Sequence, residues 1–579
     1  MRNKLPLILL TLFLLITRPL TAQDQCIRPH PADSLFRDNS ELYFTFSMKD
    51  RDDVHELTRL ISIDHIDGKT VHAYANKKQF TDFLQYTDDF RVLPHPGSLL
   101  QESQLNPSGA SGAPGDRTTW NFYPTYTQYL SFMAGFQASY PSLCKIDTVG
   151  LTYQGRLILT ARISQNVGTE EAEPQFLYTS SIHGDELTGY VLMLHLIDHL
   201  LSNYNIDSAI TQMINTTEIC INPLANPDGT FHGGNNSVSG ATRYNALGVD
   251  LNRNYPDPQN GPHPDGNDYQ VETVAWMDYA AENHFTMSAN FHGGAEVFNY
   301  PWDTWATLPA DDNWWNFVGR EWADTVHKYS PSGYFTDERN GVTSGYAWYE
   351  VNGGRQDYMN YWHNCREVTL EISNIKTPLA SQLPSFWEYN YRSFLNYIRQ
   401  SRYGFNGIVT DTVTDTPVAA KVFIQGHDVH NSEVFSRDVT GFYARPIYAG
   451  SYDVTFSSPG YFTKTIPDVN VTKRNTTRLD VQLRPLTFDA QDRSVVAHMI
   501  FPNPSDGRFR IMLPEIPIKQ MCSFQVINTM GTIVHSSALE RSGDNMTAAI
   551  DLPDLANGLY FIRFNSGYRI YVDKLVIKK

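Results

Sequence analysis

Two histidines and two carboxylates, His183, Glu186, His292 and Glu371, each follow or close a short apolar run, with Asn252-Arg253 lying between them. Gln175 to Ile182 has the composition of a buried strand. It breaks at His183-Gly-Asp-Glu186 and gives way to a helical pattern over Leu187 to Leu201. Phe285 to Phe291 is a second such run, ended by His292-Gly-Gly294, where two glycines let the backbone turn sharply beside a ligand. Val368 to Ile372 is a third, with Glu371 at its end. In open α/β sheets ligands bind outside the carboxyl ends of the strands, so three such ends can bring these side chains to one point. Two imidazoles and a carboxylate that leave one position open are the ligand set of a hydrolytic zinc ion. Such an ion acidifies water and polarises a carbonyl, and Glu371 is then the base that moves the water's proton.

Neither imidazole carries this reading alone, because a histidine at a strand end is more often a hydrogen-bonded structural residue. Two decoys sharpen it. His232-Gly-Gly234 has no strand before it and reads as loop, and His55-Glu56 starts like a zincin helix motif but has Arg59 where the second histidine belongs.

His183-x-x-Glu186, Asn226-Pro-Asp-Gly229, Asp250-Leu-Asn-Arg-Asn254, His292-Gly-Gly294 and Thr369-Leu-Glu-Ile-Ser373 together resemble the zinc metallocarboxypeptidases of the regulatory (N/E) subfamily, over residues 120–485. The resemblance implies one zinc ion held by His183, Glu186 and His292, with Glu371 as general base and Arg243 stabilising the oxyanion. It implies that Asn252 and Arg253 hold the terminal carboxylate of a peptide or protein, a task suited to the forked guanidinium. Tyr349 stands at the place of the tyrosine that caps the substrate. Asp303 and Gln356 match positions lining a pocket for a basic side chain, so the implied substrates end in Arg or Lys. The alternatives are a preference for apolar or cell-wall peptides, or a surface-binding protein that uses the peptidase domain as a scaffold. Arg355, between Gly354 and Gln356, stands where the subfamily typically has Met.

These residues need an α/β domain, a mixed β-sheet flanked by helices, and residues 118–402 are expected to form it. At 579 residues the chain is too long for one core. Residues 1–22 have the charged start, short apolar run and small-residue end of a signal peptide, and no later run is long enough to cross a membrane. Residues 24–93 show a β-α-β-β-α-β order similar to the prodomain of metallocarboxypeptidases, and 94–117, rich in Pro, Gly and Ser, read as a flexible linker. Residues 404–485 change to short alternating runs with turn signals, a β-sandwich pattern that resembles the subfamily's transthyretin-like domain. From about residue 495 to 579 a second β-sandwich follows. Its Phe501-Pro-Asn-Pro-Ser-Asp-Gly507 and closing Lys574-Leu-Val-Ile-Lys-Lys579 resemble the type A sorting domain of type IX secretion. That implies the type IX machinery as a partner and export through the periplasm to the surface or the medium. The net charge of −17, without a basic cluster, argues against nucleic acid. Five scattered cysteines, Cys26, Cys144, Cys220, Cys365 and Cys522, allow one or two bridges and leave at least one thiol.

Overall fold

The computed structural model describes residues 31–37, 39–50, 53–107, 119–486, 499–514, 523–542, 545–565 and 570–579. The expected signal peptide and residues 108–117 of the expected linker lie outside them. The chain divides into two compact units, residues 1–485 and 486–579.

The first unit begins with a small domain in the expected order: β1 (Glu41–Ser47), α1 (Val54–Leu60), β2 (Ser62–Asp67), β3 (Thr70–Asn76), α2 (Lys77–Phe83) and β4 (Phe90–Leu93). The strands pair antiparallel in the order β2-β3-β1-β4. Strand periodicity sorts β1 into two faces. Leu42, Phe44 and Phe46 bury against Phe80 and Phe83, while Tyr43 joins Tyr74, its partner across β3, on the other face. The start of α2 is fixed by a capping box between Asn76 and Gln79.

The catalytic-type domain is built on eight strands: β5 (Cys144–Leu151), β6 (Leu157–Ile163), β7 (Gln175–Ser180), β8 (Glu218–Asn222), β9 (Phe285–His292), β10 (Ala295–Tyr300), β11 (Val342–Ser344) and β12 (Arg366–Ser373). Their order is β11-β10-β12-β9-β7-β8-β6-β5. The central four, β12, β9, β7 and β8, are parallel, and β10 and β6 flank them antiparallel. Both faces are covered, which is why β7 is buried along its whole length and reads as an unbroken apolar run. Phe176 and Tyr178 face α3 (Tyr126–Ser139), α4 (Thr188–Ser202), α6 (Asp312–Tyr329) and α8 (Leu383–Gln400). Leu177 faces α5 (Val271–Ala281) and α7 (Arg355–His363). Phe291 and Leu370 belong to the first face, so their neighbours Asn290, His292 and Glu371 project to the second. Truncating a fully buried aromatic such as Phe291 or Phe394 to Ala would cost about 3–5 kcal/mol.

The linker expectation fails for its first half. Pro96–Ser98 forms a short 3-10 turn, and Gly97 lies so close to Ala241 that a Cβ would meet its carbonyl oxygen at 1.9 Å. Leu105 is buried in the catalytic-type core. Its apolar side chain binds the segment down despite the Pro and Gly around it.

Residues 404–485 form two sheets over a shared core that includes Phe405, Val422, Val454 and Phe456. This sandwich docks on the catalytic-type domain through a buried ion network. The Asp311 carboxylate accepts from Arg366 at 3.0 Å and Arg445 at 2.8 Å, and Arg445 also pairs with Asp428 at 2.7 Å. The second unit, taken by itself, has two four-stranded antiparallel sheets around Ile511, Phe524, Ile562 and Leu575. Cys144, Cys220 and Cys365 are free and buried, so no bridge forms among them, and Cys26 and Cys522 lie outside the described residues.

Candidate active site

The three adjacent parallel strands β7, β9 and β12 deliver the chemistry to one place. His183 follows β7, His292 ends β9, and Glu371 pairs in register with His292 across β12. Between β7 and α4 the chain turns through Ser181 at φ 58°, and the Ser181 hydroxyl donates to the Glu186 carbonyl at 2.8 Å. Gly184 in this turn meets the backbone of Gly229, and a Cβ there would come within 2.3 Å of it. This contact explains why the Asn226-Pro-Asp-Gly229 loop accompanies the histidine motif.

His183 Nδ1 lies 3.0 Å from Glu186 Oε1, His292 Nδ1 lies 2.9 Å from Glu186 Oε2, and the two Nδ1 atoms are 3.0 Å apart. Among the described residues this is the one group of three whose atoms could hold a metal. Each ring turns its other nitrogen outward, His183 Nε2 to Asp250 Oδ1 at 3.1 Å and His292 Nε2 to the Asn290 amide at 2.9 Å. Such outer partners fix the tautomer of a metal-ligating imidazole. Burial pushes His292 down to about 4, which keeps it neutral as a ligand must be. Burial opposes ionisation of Glu186, but His183, Lys376 and His292 override it and hold the carboxylate well below its usual range. The donor set, buried and preorganised, fits zinc.

Around the trio, Glu371 Oε2 is buried without a partner among the described residues. Burial first, then Glu186, holds this carboxyl well above its ordinary range. A cation at the trio would pull it back. Arg243 lies over the site, its Nε 3.1 Å from Asp250 Oδ2 and its Nη1 3.4 Å from Glu186 Oε1. Asp250 also caps the turn Leu251–Arg253, accepting from Asn252 N at 2.9 Å. Arg253 donates Nη1 to the Asn252 carbonyl at 2.9 Å, while its Nε and Nη2 are buried and unpartnered among the described residues. Tyr349 and Asp303 line the same cleft. Asp303 Oδ1 accepts from Asn299 at 3.1 Å and Gln356 at 2.9 Å, and burial raises this carboxyl to about 7. Gln356, expected on the pocket wall, is not among its lining residues. It accepts from Thr369 N at 2.7 Å and donates to Asp303, so it braces the wall from behind.

The N-terminal domain closes this cleft. Asp64, from the edge strand β2, lies 2.8 Å from Lys376 Nζ and 4.0 Å from Arg243 Nη1. Glu41 accepts from Arg243 N and Tyr244 N at 2.7 and 2.9 Å, Ser62 donates to Asp250 at 2.7 Å, and Tyr74 donates to Asp185 at 2.8 Å. Tyr349 packs against the core of the small domain. What remains is a cavity of about 30 Å³. Sequence reasoning missed Lys376, which donates to Glu186 at 2.6 Å, and the roles of Asp250 and Asn290. For Asp250 the signal was its place in the same motif as Asn252 and Arg253; for Lys376 no local pattern marked it.

Residues 129–393 match the family model of zinc carboxypeptidases, 404–484 that of the carboxypeptidase regulatory-like domain, and 499–578 that of a secretion system C-terminal sorting domain. The chain is 33% identical to carboxypeptidase D of Drosophila melanogaster over 64% of its own length and 28% of that protein, so it spans well under half of that relative. It is 33% identical to carboxypeptidase M of Mus musculus over 58% of this chain and 79% of that one. The carboxypeptidase A structure from Helicoverpa armigera is similar in fold, at a TM-score of 0.50 and 17% identity, covering 62% of this chain and 98% of the other. The chain belongs to the zinc carboxypeptidase family. Within it, this member carries a regulatory-like sandwich and a sorting domain that implies secretion.

Proposed function

We propose that this chain is an exported carboxypeptidase that binds one zinc ion and removes the C-terminal residue, Arg or Lys, from peptides and proteins. The observation that carries it is the buried, unpartnered edge of Arg253, Nε and Nη2, opening on the same cleft as the ligand trio and Glu371. A parallel pair of donors on a guanidinium is shaped for a carboxylate. His183, Glu186 and His292 would hold the zinc, which supplies an acidified water and a polarised carbonyl when bound. Glu371 is placed to take a proton from an attacking water and return it to the leaving amine. Arg243 faces the developing oxyanion, Asn252 and Arg253 fix the terminal carboxylate, and Tyr349 closes over it. Asp303 gives the terminal side-chain pocket its carboxylate, which favours a cationic end. The sorting domain hands the protein to type IX secretion machinery after passage through the periplasm, for release or surface attachment.

Residues 41–93 act in this reading as an inhibitory cover. The 30 Å³ left in the cleft admits a water or two, whereas sites for small molecules measure roughly 300–1,000 Å³. The test is mass spectrometry of matched peptides ending in Arg, Lys, Leu or Phe, treated with the full chain before and after cleavage in residues 108–118. Stepwise loss of Arg and Lys only after cleavage supports the whole reading. Loss of apolar ends refutes the role of Asp303, and undiminished activity of the uncut chain refutes the cover.

A further inference from the structure

Arg355 opens α7 beside the cleft, yet its side chain turns away from substrate. The residue is 1% exposed and its guanidinium lies 4.9 Å from the Trp276 ring centroid. Nη2 is 3.1 Å from Glu367 Oε2, and Nη1 donates to Thr179 Oγ1. Glu367 is held in turn by the Ser288 hydroxyl, which donates to it at 2.6 Å. Thr179 and Asn290 are register partners on β7 and β9, and the Thr179 hydroxyl faces Asn290 Oδ1 as donor at 3.1 Å. The other end of that amide lies 2.9 Å from His292 Nε2. A continuous polar chain therefore runs Glu367, Arg355, Thr179, Asn290, His292. The main-chain nitrogen of Arg355 also donates to Asn252 Oδ1 at 2.9 Å.

Stability is a poor account of this pair, since a buried ion pair is commonly no better than apolar residues of the same volume. We propose that Arg355 is a positioning residue for the metal centre, setting the orientation and tautomer of His292 through Thr179 and Asn290. The inference rests on the zinc reading of the trio. For Nδ1 of His292 to face the cation, Nε2 must carry the proton, so the Asn290 amide, which here turns Nδ2 to the ring and Oδ1 to Thr179, must present its oxygen to Nε2 instead, an end-for-end exchange that leaves every heavy-atom contact in place. The amide nitrogen then needs an acceptor on its far side. Thr179 Oγ1 is that acceptor, and Arg355, which can only donate, takes one of its lone pairs and fixes where the other points. Glu367 keeps the guanidinium from swinging away.

The experiment measures zinc affinity of the full chain by competition with a chromophoric chelator, alongside thermal unfolding of the metal-free forms. The variants are Arg355→Met with Glu367→Gln, which avoids orphaning the carboxylate, Thr179→Val, which leaves the ion pair intact, and all three substitutions together. Outer-partner changes at metal-ligating histidines cost roughly 10–100-fold in affinity. The expected result is a loss of about tenfold or more in each variant, with the combined form no weaker than the worse of its parts, because both cut one chain. Thr179→Val is expected to lose zinc affinity with its metal-free melting temperature unchanged. Variants that bind zinc as tightly as the parent overturn this inference alone. So does a loss of affinity seen only where the metal-free form is destabilised. A parent chain that binds no zinc overturns the zinc reading, and this inference with it.

Discussion

Glu371 combines a buried, unpartnered oxygen with a place directly across from His292, which is the position a proton shuttle needs. Glu371→Gln keeps the shape and removes the base; it is expected to lower kcat by about 10²–10⁴ while zinc affinity holds, measured by chelator competition on the same sample. Asp303 gives a pH signature. Burial raises it to about 7, so below that pH the carboxyl is neutral and, on the proposed specificity, a cationic terminal side chain would lose its partner. The kcat/KM for Arg-ended peptides should therefore fall as pH drops through 7, relative to Leu-ended peptides, and Asp303→Asn should abolish that difference. The proposed ligand trio and Glu371 were legible as a group because they sit where apolar runs meet turn residues, a local signal. Lys376, Asn290 and the bracing role of Gln356 were not. Their partners are brought up by strand register and by a separate domain, and no spacing along the chain encodes that.

Among the elements, β2 does the closing, because it sits at the sheet edge with Asp64 aimed at the cleft. The contact between Asp64 and Lys376 is a buried ion pair at 2.8 Å, and removing one charge of such a pair is destabilising. Asp64→Asn in the uncut chain is expected to raise its residual peptidase activity roughly tenfold, the effect of about 1.4 kcal/mol on an opening equilibrium. Activity unchanged from the parent would show that Glu41, Ser62 and Tyr74 hold the cover without it. The order of elements in this domain was readable from period-two and helical patterns. The fate of residues 94–107 was not, because they run into the Gly- and Ser-rich 108–115 and read as one linker with it, while Leu105 decides where they bind.

The first unit is also joined at its far side by buried ions, and this sets its acid sensitivity. Burial opposes ionisation of Asp428 and Asp311, but Arg445, aided at Asp428 by His427 and at Asp311 by Arg366, holds both carboxyls below their usual range. Groups depressed in the folded state contribute stability above their unfolded pKa, about 3.9, and lose it as pH falls further. Thermal unfolding of the chain should show that loss below about pH 4, and Asp428→Asn, which leaves part of Arg445 uncompensated, should destabilise by about 3–5 kcal/mol at neutral pH. A flat acid limb would mean that the network is energetically idle. The fold of both sandwiches was legible, but this junction was not, since its acids and arginines look like ordinary surface charge in the sequence. The small domain's hold on the cleft has a further side. Glu41, Ser62, Tyr74 and Leu105 all lie before residue 108, and each grips the body without help from the peptide bonds that follow. A protease cutting after Pro107 thus turns an intramolecular cover into a bound fragment at equal concentration. On the proposed inhibitory role, activity would then follow the dissociation equilibrium of that fragment, so a dilute sample would reach a larger fraction of its full activity than a concentrated one cut to the same extent.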